Sequence, residues 1–169
     1  REKIFKFTFI FLNLEKPTAV IEKVAKYGVT SHYYYFNYAK RKHFQFIKLF
    51  FKLFFLFRKI KPDVIQTNLF DDSLPGLFAA KLAGVKKRVV TKQDTGFHLR
   101  YAPKGLRFDI FINKNATDII PVSHESYELI MKHEKPDAKK VKIIHHAVNE
   151  DFMNSATKEQ VEFFKNKYN

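Results

Sequence analysis

The chain has 169 residues, which suits one domain or one domain and a fragment, and its 46% hydrophobic content supports a packed core. A net charge of +14 and a pI of about 9.8 draw it towards phosphate on nucleic acid, nucleotide or anionic lipid, without choosing among them. The absence of Cys excludes disulfides and thiolate chemistry, and the longest apolar run, 44–57, is broken by Lys48 and Lys52 and is too short to span a membrane.

The first residues alternate Lys and Phe instead of placing a charged region before an apolar one, so no signal peptide is expected. The chain opens on Arg1, and its start is expected to be a cut end. Residues 4–14, IFKFTFIFLNL, form a nearly continuous apolar run, the pattern of a strand buried on both faces. Pro17 suits the first turn of a helix whose stripe is Val20, Ile21 and Val24, with Gly28 as its stop. A second strand, TSHYYYF, covers 30–36, and a basic, aromatic stretch follows to His43.

A helix is expected over 44–60, with Gln45, Lys48, Lys52 and Lys59 on one narrow face and Pro62 as its stop. It has two readings: core covering one face of a sheet, or a helix that also dips into a membrane interface, with Arg41, Lys42, Lys48 and Lys52 meeting anionic headgroups. DVIQTN, 63–68, is a strand. Asp72 or Ser73 then caps a helix through 83, with Pro75 in its first turn and Gly84 after its end. KRVVTK, 87–92, is a strand followed by a long polar loop, and a helix runs over 106–116. DIIPVS, 118–123, is a strand whose Ser123 caps a helix over 125–133, and VKIIHH, 141–146, is the last strand. Thr157 and Gln160 form a capping box for a final helix with Val161, Phe164 and Tyr168 on one side.

Strands alternate with helices throughout, so the expected fold is α/β, a doubly wound parallel sheet flanked by helices in the Rossmann manner. In such sheets ligands bind beyond the carboxyl ends of the strands. That edge is where the loop after the 87–92 strand carries Gln93, Asp94, His98, Arg100 and Lys104. The five glycines include no GxGxxG, so neither a dinucleotide cradle nor a P-loop is present.

Four segments together carry a resemblance: KPDVIQTNLFDDSLPGLFAAKLAGVKKRVVT, FHLRYAPKG, ATDIIPVSHES and KVKIIHHAVNEDF, in this order. The chain resembles the N-terminal, acceptor-side domain of the family 4 (group 1) glycosyltransferases of the GT-B fold, over roughly 61–152 and more weakly before. The resemblance implies one half of a two-domain enzyme. Residues 1–152 would be the acceptor-side domain, lacking the family's usual first strand and glycine-rich loop, and 153–169 would be a linker helix leading to a donor domain. The full enzyme would transfer a sugar from a UDP- or GDP-linked donor, with retention, to a saccharide or lipid-linked acceptor in bacterial cell-surface polysaccharide or glycolipid synthesis. It would be cytoplasmic and peripheral on the inner face of the membrane. The half present here would hold no cofactor and be inactive alone.

The family often carries His where this chain has Gln66 and Asn68, and again near Gln93, where that His approaches the donor sugar. Here Gln93 and Asp94 stand at the catalytic position. An amide can donate and accept hydrogen bonds but cannot titrate near neutral pH. Gln93 is otherwise a polar loop residue. Asn68, His98, Arg100, Lys104 and Ser123 are implied to meet acceptor or phosphate. His98, Arg100, Lys104 and Arg107 read equally as a solvated basic loop, and Ser123 as a helix cap alone. His146 and Asn149 fall at the family's interdomain hinge, with Ala147 where Gly is usual. Asp71–Asp72 fits helix capping better than a metal site, and no metal is expected. The competing reading is a non-catalytic basic module for an anionic membrane or nucleic acid. Nucleic acid is disfavoured, because a doubly wound sheet buries the strand faces that base stacking needs.

Overall fold

A computed structural model of the chain describes residues 5–12, 19–35, 42–93, 96–147 and 157–168, without the side chains of 42 and 43. Among these residues five strands alternate with helices: β1 (Thr8–Leu12), α1 (Ala19–Ala25), β2 (Thr30–Tyr34), α2 (Lys42–Ile60), β3 (Val64–Thr67), α3 (Phe70–Leu82) and β4 (Lys87–Lys92). After β4 come α4 (Phe97–Tyr101), a 3₁₀ turn (Pro103–Gly105), α5 (Leu106–Asn115), β5 (Asp118–Pro121), α6 (His124–Leu129) and α7 (Lys158–Tyr168). Every ladder is parallel, as the alternation requires: β1 pairs β2, and β4 lies between β3 and β5.

Instead of one continuous sheet, the described strands form a pair and a triplet, with no ladder between β1 and β3. One helical layer nevertheless serves both. Leu49, Leu53 and Phe57 of α2 and Ala79 and Ala80 of α3 pack with Ile10, Leu12 and Tyr34 from the pair and with Ile65 from the triplet. A second cluster joins Leu77, Val90, Ile112, Ile119 and Ile130, all nearly inaccessible to solvent. α3 contributes to both clusters and sits between α2 and α5.

Four local expectations change. α3 begins at Phe70, so Pro75 lies inside it, and Asp72 caps from the third helical position. Its carboxylate accepts the N–H of Leu69 at 2.7 Å and that of Asn68 at 3.0 Å. Burial pushes the Asp72 carboxyl above its ordinary range even though these bonds pull the other way. The supposed loop after β4 contains α4. The helix after Ser123 passes into a π-helical turn, Ile130–Glu134. The last strand shrinks to one bridge, Ile119 with Val141, extended by Lys142 and Ile144 N–H groups donating to Ile119 and Pro121. Gly28 and Gly84 end α1 and α3 at φ of 71° and 87°, the left-handed region that glycine enters without strain. The Thr157–Gln160 capping box is present, with bonds of 3.0 and 3.3 Å. Asp94, Asn149 and Arg41 lie outside the described residues.

Candidate functional site

The carboxyl ends of β3 and β4 open onto a cavity of about 490 Å³. Its walls come from 68–71 and Ser73 at the start of α3, from 90–93 at the end of β4, and from α4 and α5, with Leu129 and Glu134 closing one side. Asn68, Gln93 and His98 all line it, so residues 25 and more apart in sequence meet there through parallel pairing. Asn68 and Gln93 are exposed, and His98 is largely enclosed. Gln66, one position before the strand end, donates its amide N–H to Thr91 Oγ1 at 3.0 Å, which ties β3 to β4 beneath the opening.

The histidine is built into its place. Its Nδ1 lies 2.5 Å from Asp109 Oδ2, and with that carboxylate as acceptor the ring donates from Nδ1 and leaves Nε2 for a ligand. Phe70 meets the imidazole edge-on with ring centroids 4.5 Å apart. The other side of the ring rests on Gly105, where an added Cβ would collide with the imidazole. The glycine is here for close approach, since its φ of −69° would suit any residue.

Below the histidine lies a buried ionic network. Lys92 Nζ is 2.9 Å from Glu134 Oε2 and 3.5 Å from Asp109 Oδ1, and Asn113 Nδ2 donates to the same Glu134 oxygen at 2.6 Å. The side chains of Lys92 and Asp109 are each 11% exposed and that of Glu134 is 7%. Asn113 Oδ1 is buried with no hydrogen-bond partner among the described residues. One lysine thus serves two carboxylates, and one of those carboxylates orients the cavity histidine. Sequence reading missed this network. A signal existed: Asp109, Ile112 and Asn113 are spaced as a core stripe of α5, and two of the three are polar.

The remaining expected residues are placed differently. Arg100 and Lys104 are exposed on α4 and the turn after it, beside the cavity but not among its lining residues. Ser123 lies two residues beyond β5 and caps α6: its Oγ accepts the Ser126 N–H at 3.1 Å and bonds Ser126 Oγ at 3.1 Å. It does not line the cavity. His146 is exposed, whereas His145 Nδ1 sits 3.2 Å from the Val122 carbonyl and its ring lies beside that of His124. Among the described residues no group of three or more His, Cys, Asp or Glu is arranged to hold a metal ion.

The model of Glycosyltransferase Family 4 matches residues 7–152. No curated protein matches the chain. Among solved structures, HepE of Anabaena in complex with UDP and glucose superposes with a TM-score of 0.63 at 12% identity, over 95% of this chain and 50% of that one. A glycosyltransferase from Rickettsia africae gives 0.55 at 17% identity, over 96% and 49%. The lipopolysaccharide outer core galactosyltransferase WaaB gives 0.59 at 12%, over 86% and 46%. Identities this low show the fold alone, and it is the GT-B half that the resemblance implied. The chain spans about half the length of these structures. With its family model matched over 7–152, the chain belongs to glycosyltransferase family 4.

Proposed function

We propose that this chain is the acceptor-side half of a retaining glycosyltransferase that moves a sugar from a nucleotide to a hydroxyl of a saccharide or lipid-linked acceptor. The observation that carries the reading is the cavity at the ends of β3 and β4, lined by Asn68, Gln93 and a histidine held by Asp109, in a chain of this family. HepE, solved with UDP and glucose, supports a UDP-linked donor, with a GDP-linked one as the alternative. Gln93 and Asp94 carry the catalytic role in this reading. Asn68 and His98 orient the acceptor by hydrogen bonds, and Arg100 and Lys104 draw its phosphate towards the opening. Catalysis in such a site rests on holding two substrates in register and stabilising the departing diphosphate. A donor half supplies the groups that grip the nucleotide.

The division of the chain belongs to the same proposal. In the doubly wound strand order 3-2-1-4-5-6 the first strand lies at the centre. With β2, β1, β3, β4 and β5 taken as 3, 2, 4, 5 and 6, the missing ladder between β1 and β3 is the slot for that first strand. α7, with no buried residue, is the linker helix, and His146 and Asn149 form the hinge before it. The pathway is cell-surface polysaccharide or glycolipid synthesis, on the inner face of a bacterial cell membrane.

Sugar transfer and acceptor binding separate in this scheme. The 169-residue chain alone transfers no sugar from UDP-glucose, yet binds a saccharide pyrophosphate, and Gln93→Ala or His98→Ala weakens that binding about tenfold, the value of one well-placed hydrogen bond to a charged group. Radiolabelled transfer and calorimetric titration read the two quantities. Measurable transfer by the chain alone sinks the division of labour between halves, and binding indifferent to both substitutions sinks the cavity as acceptor site.

A further inference from the structure

α2 buries one side against the core and leaves another apolar side uncovered. Leu49, Leu53, Leu56 and Phe57 are buried, whereas Phe44, Ile47, Phe51 and Phe55 are between 50% and 65% exposed. At 3.6 residues per turn these four exposed side chains fall within a sector of about 80° running the length of the helix. Exposed Lys48, Lys52 and Lys59 fill the neighbouring sector, and Arg58 stands at the stripe's far end. No carboxylate occurs anywhere in Lys42–Ile60. Beside the first turns lies a second cavity of about 520 Å³, lined by Tyr34, Tyr35, Phe44, Gln45, Lys48, Leu49 and Lys52. No helix among the described residues is long and apolar enough to cross a membrane.

From this we infer that α2 is a membrane-docking helix that lies flat in the interface of an anionic bilayer. Phe44, Ile47, Phe51 and Phe55 enter the acyl boundary, and Lys48 and Lys52 hold a lipid phosphate at the mouth of the second cavity. Four large apolar side chains left in water favour a partner with an apolar interior. The lysine row beside them, with no acid to neutralise it, selects a negatively charged one. A second copy meeting the same face by two-fold symmetry would set this lysine row against its own image, which opposes self-association. The inference deepens the inner-face placement in the proposed function by naming the surface that docks, and because it is argued from α2 alone its failure leaves the acceptor cavity untouched.

Co-sedimentation with vesicles tests it, using phosphatidylcholine alone and phosphatidylcholine mixed with phosphatidylglycerol. The chain partitions onto the mixed vesicles and not onto the neutral ones. Replacing Lys48, Lys52 and Lys59 by Gln lowers that partition at least tenfold, since each lysine near an anionic surface contributes about fivefold. Phe51→Ser with Phe55→Ser lowers it about as much, and because both side chains are exposed the far-UV circular dichroism stays unchanged. The chain has no Trp. A single Phe55→Trp therefore reports depth: its emission shifts to the blue with mixed vesicles, and inorganic phosphate at matched ionic strength neither reproduces nor reverses the shift. Equal partition onto both vesicle types, no partition at all, release by inorganic phosphate, or sedimentation without lipid that the Phe substitutions abolish would each overturn the inference.

Discussion

Lys92→Met destabilises the fold by about 3–5 kcal/mol, the usual cost of removing one partner from a buried ion pair. The lysine ammonium is the cation between Glu134 and Asp109, and all three side chains are nearly closed to water. Methionine fills the stem's volume, so the loss is electrostatic and not a cavity effect. Among the described residues Glu134 then keeps its bond from Asn113 and Asp109 its bond with His98. For a chain of this size the change lowers Tm on the order of 10 °C. Glu134→Gln added to Lys92→Met recovers part of the loss, because the stranded charge is gone; a double-mutant cycle in urea measures that coupling. A Lys92→Met chain within about 1 kcal/mol of the parent would show the network to be solvated in solution, against the burial seen here.

In the proposed two-half transferase, Gly105→Ala and His98→Ala each reduce kcat/KM by about a hundredfold, the penalty typical of a polar group displaced by an ångström from its working position. The two substitutions reach the same atom by different routes. The methyl group introduced by Gly105→Ala would occupy the space of the imidazole and push it off Asp109, whereas His98→Ala deletes the ring. Their effects are therefore not additive: in a chain that already carries His98→Ala, Gly105→Ala changes kcat/KM by less than about threefold. Circular dichroism and Tm separate this from unfolding, since the glycine has an ordinary helical backbone and the three atoms nearest an added Cβ all belong to the ring. Additive losses would mean that Gly105 acts through the backbone and that His98 is not the group held there.

Much of the fold could be read in advance because it follows from periodicity and punctuation. Apolar runs such as KRVVTK, broken by polar turns and alternating with helical stripes, leave parallel pairing as the economical arrangement, and Gly28, Gly84, Ser123 and the Thr157–Gln160 pair mark helix ends where they were expected. That Asn68, Gln93 and His98 would face one cavity was legible for the same reason, since parallel strands deliver their carboxyl ends to one edge. What escaped depends on contacts between distant residues. Nothing local announces that Lys92, the last residue of a strand, turns inwards to meet Glu134 forty-two positions later. The pairing decides it, because a buried lysine needs an acid and a buried acid needs a cation. The early start of α3 escaped because Asp72 caps from inside the helix, so its side chain marks a boundary three residues before itself. The break between β1 and β3 escaped too, for an alternating pattern gives the number and direction of strands but not which edges meet.

The central claim is that the cavity over the β3 and β4 ends receives the acceptor. Amide chemical-shift mapping of the chain titrated with a saccharide pyrophosphate tests it most directly. The expected shifts concentrate at 68–73, 92–93, 96–99 and 105–109, with α2 and β1 unmoved. Shifts confined to the lysine row of α2, or spread evenly over the basic surface, would contradict it.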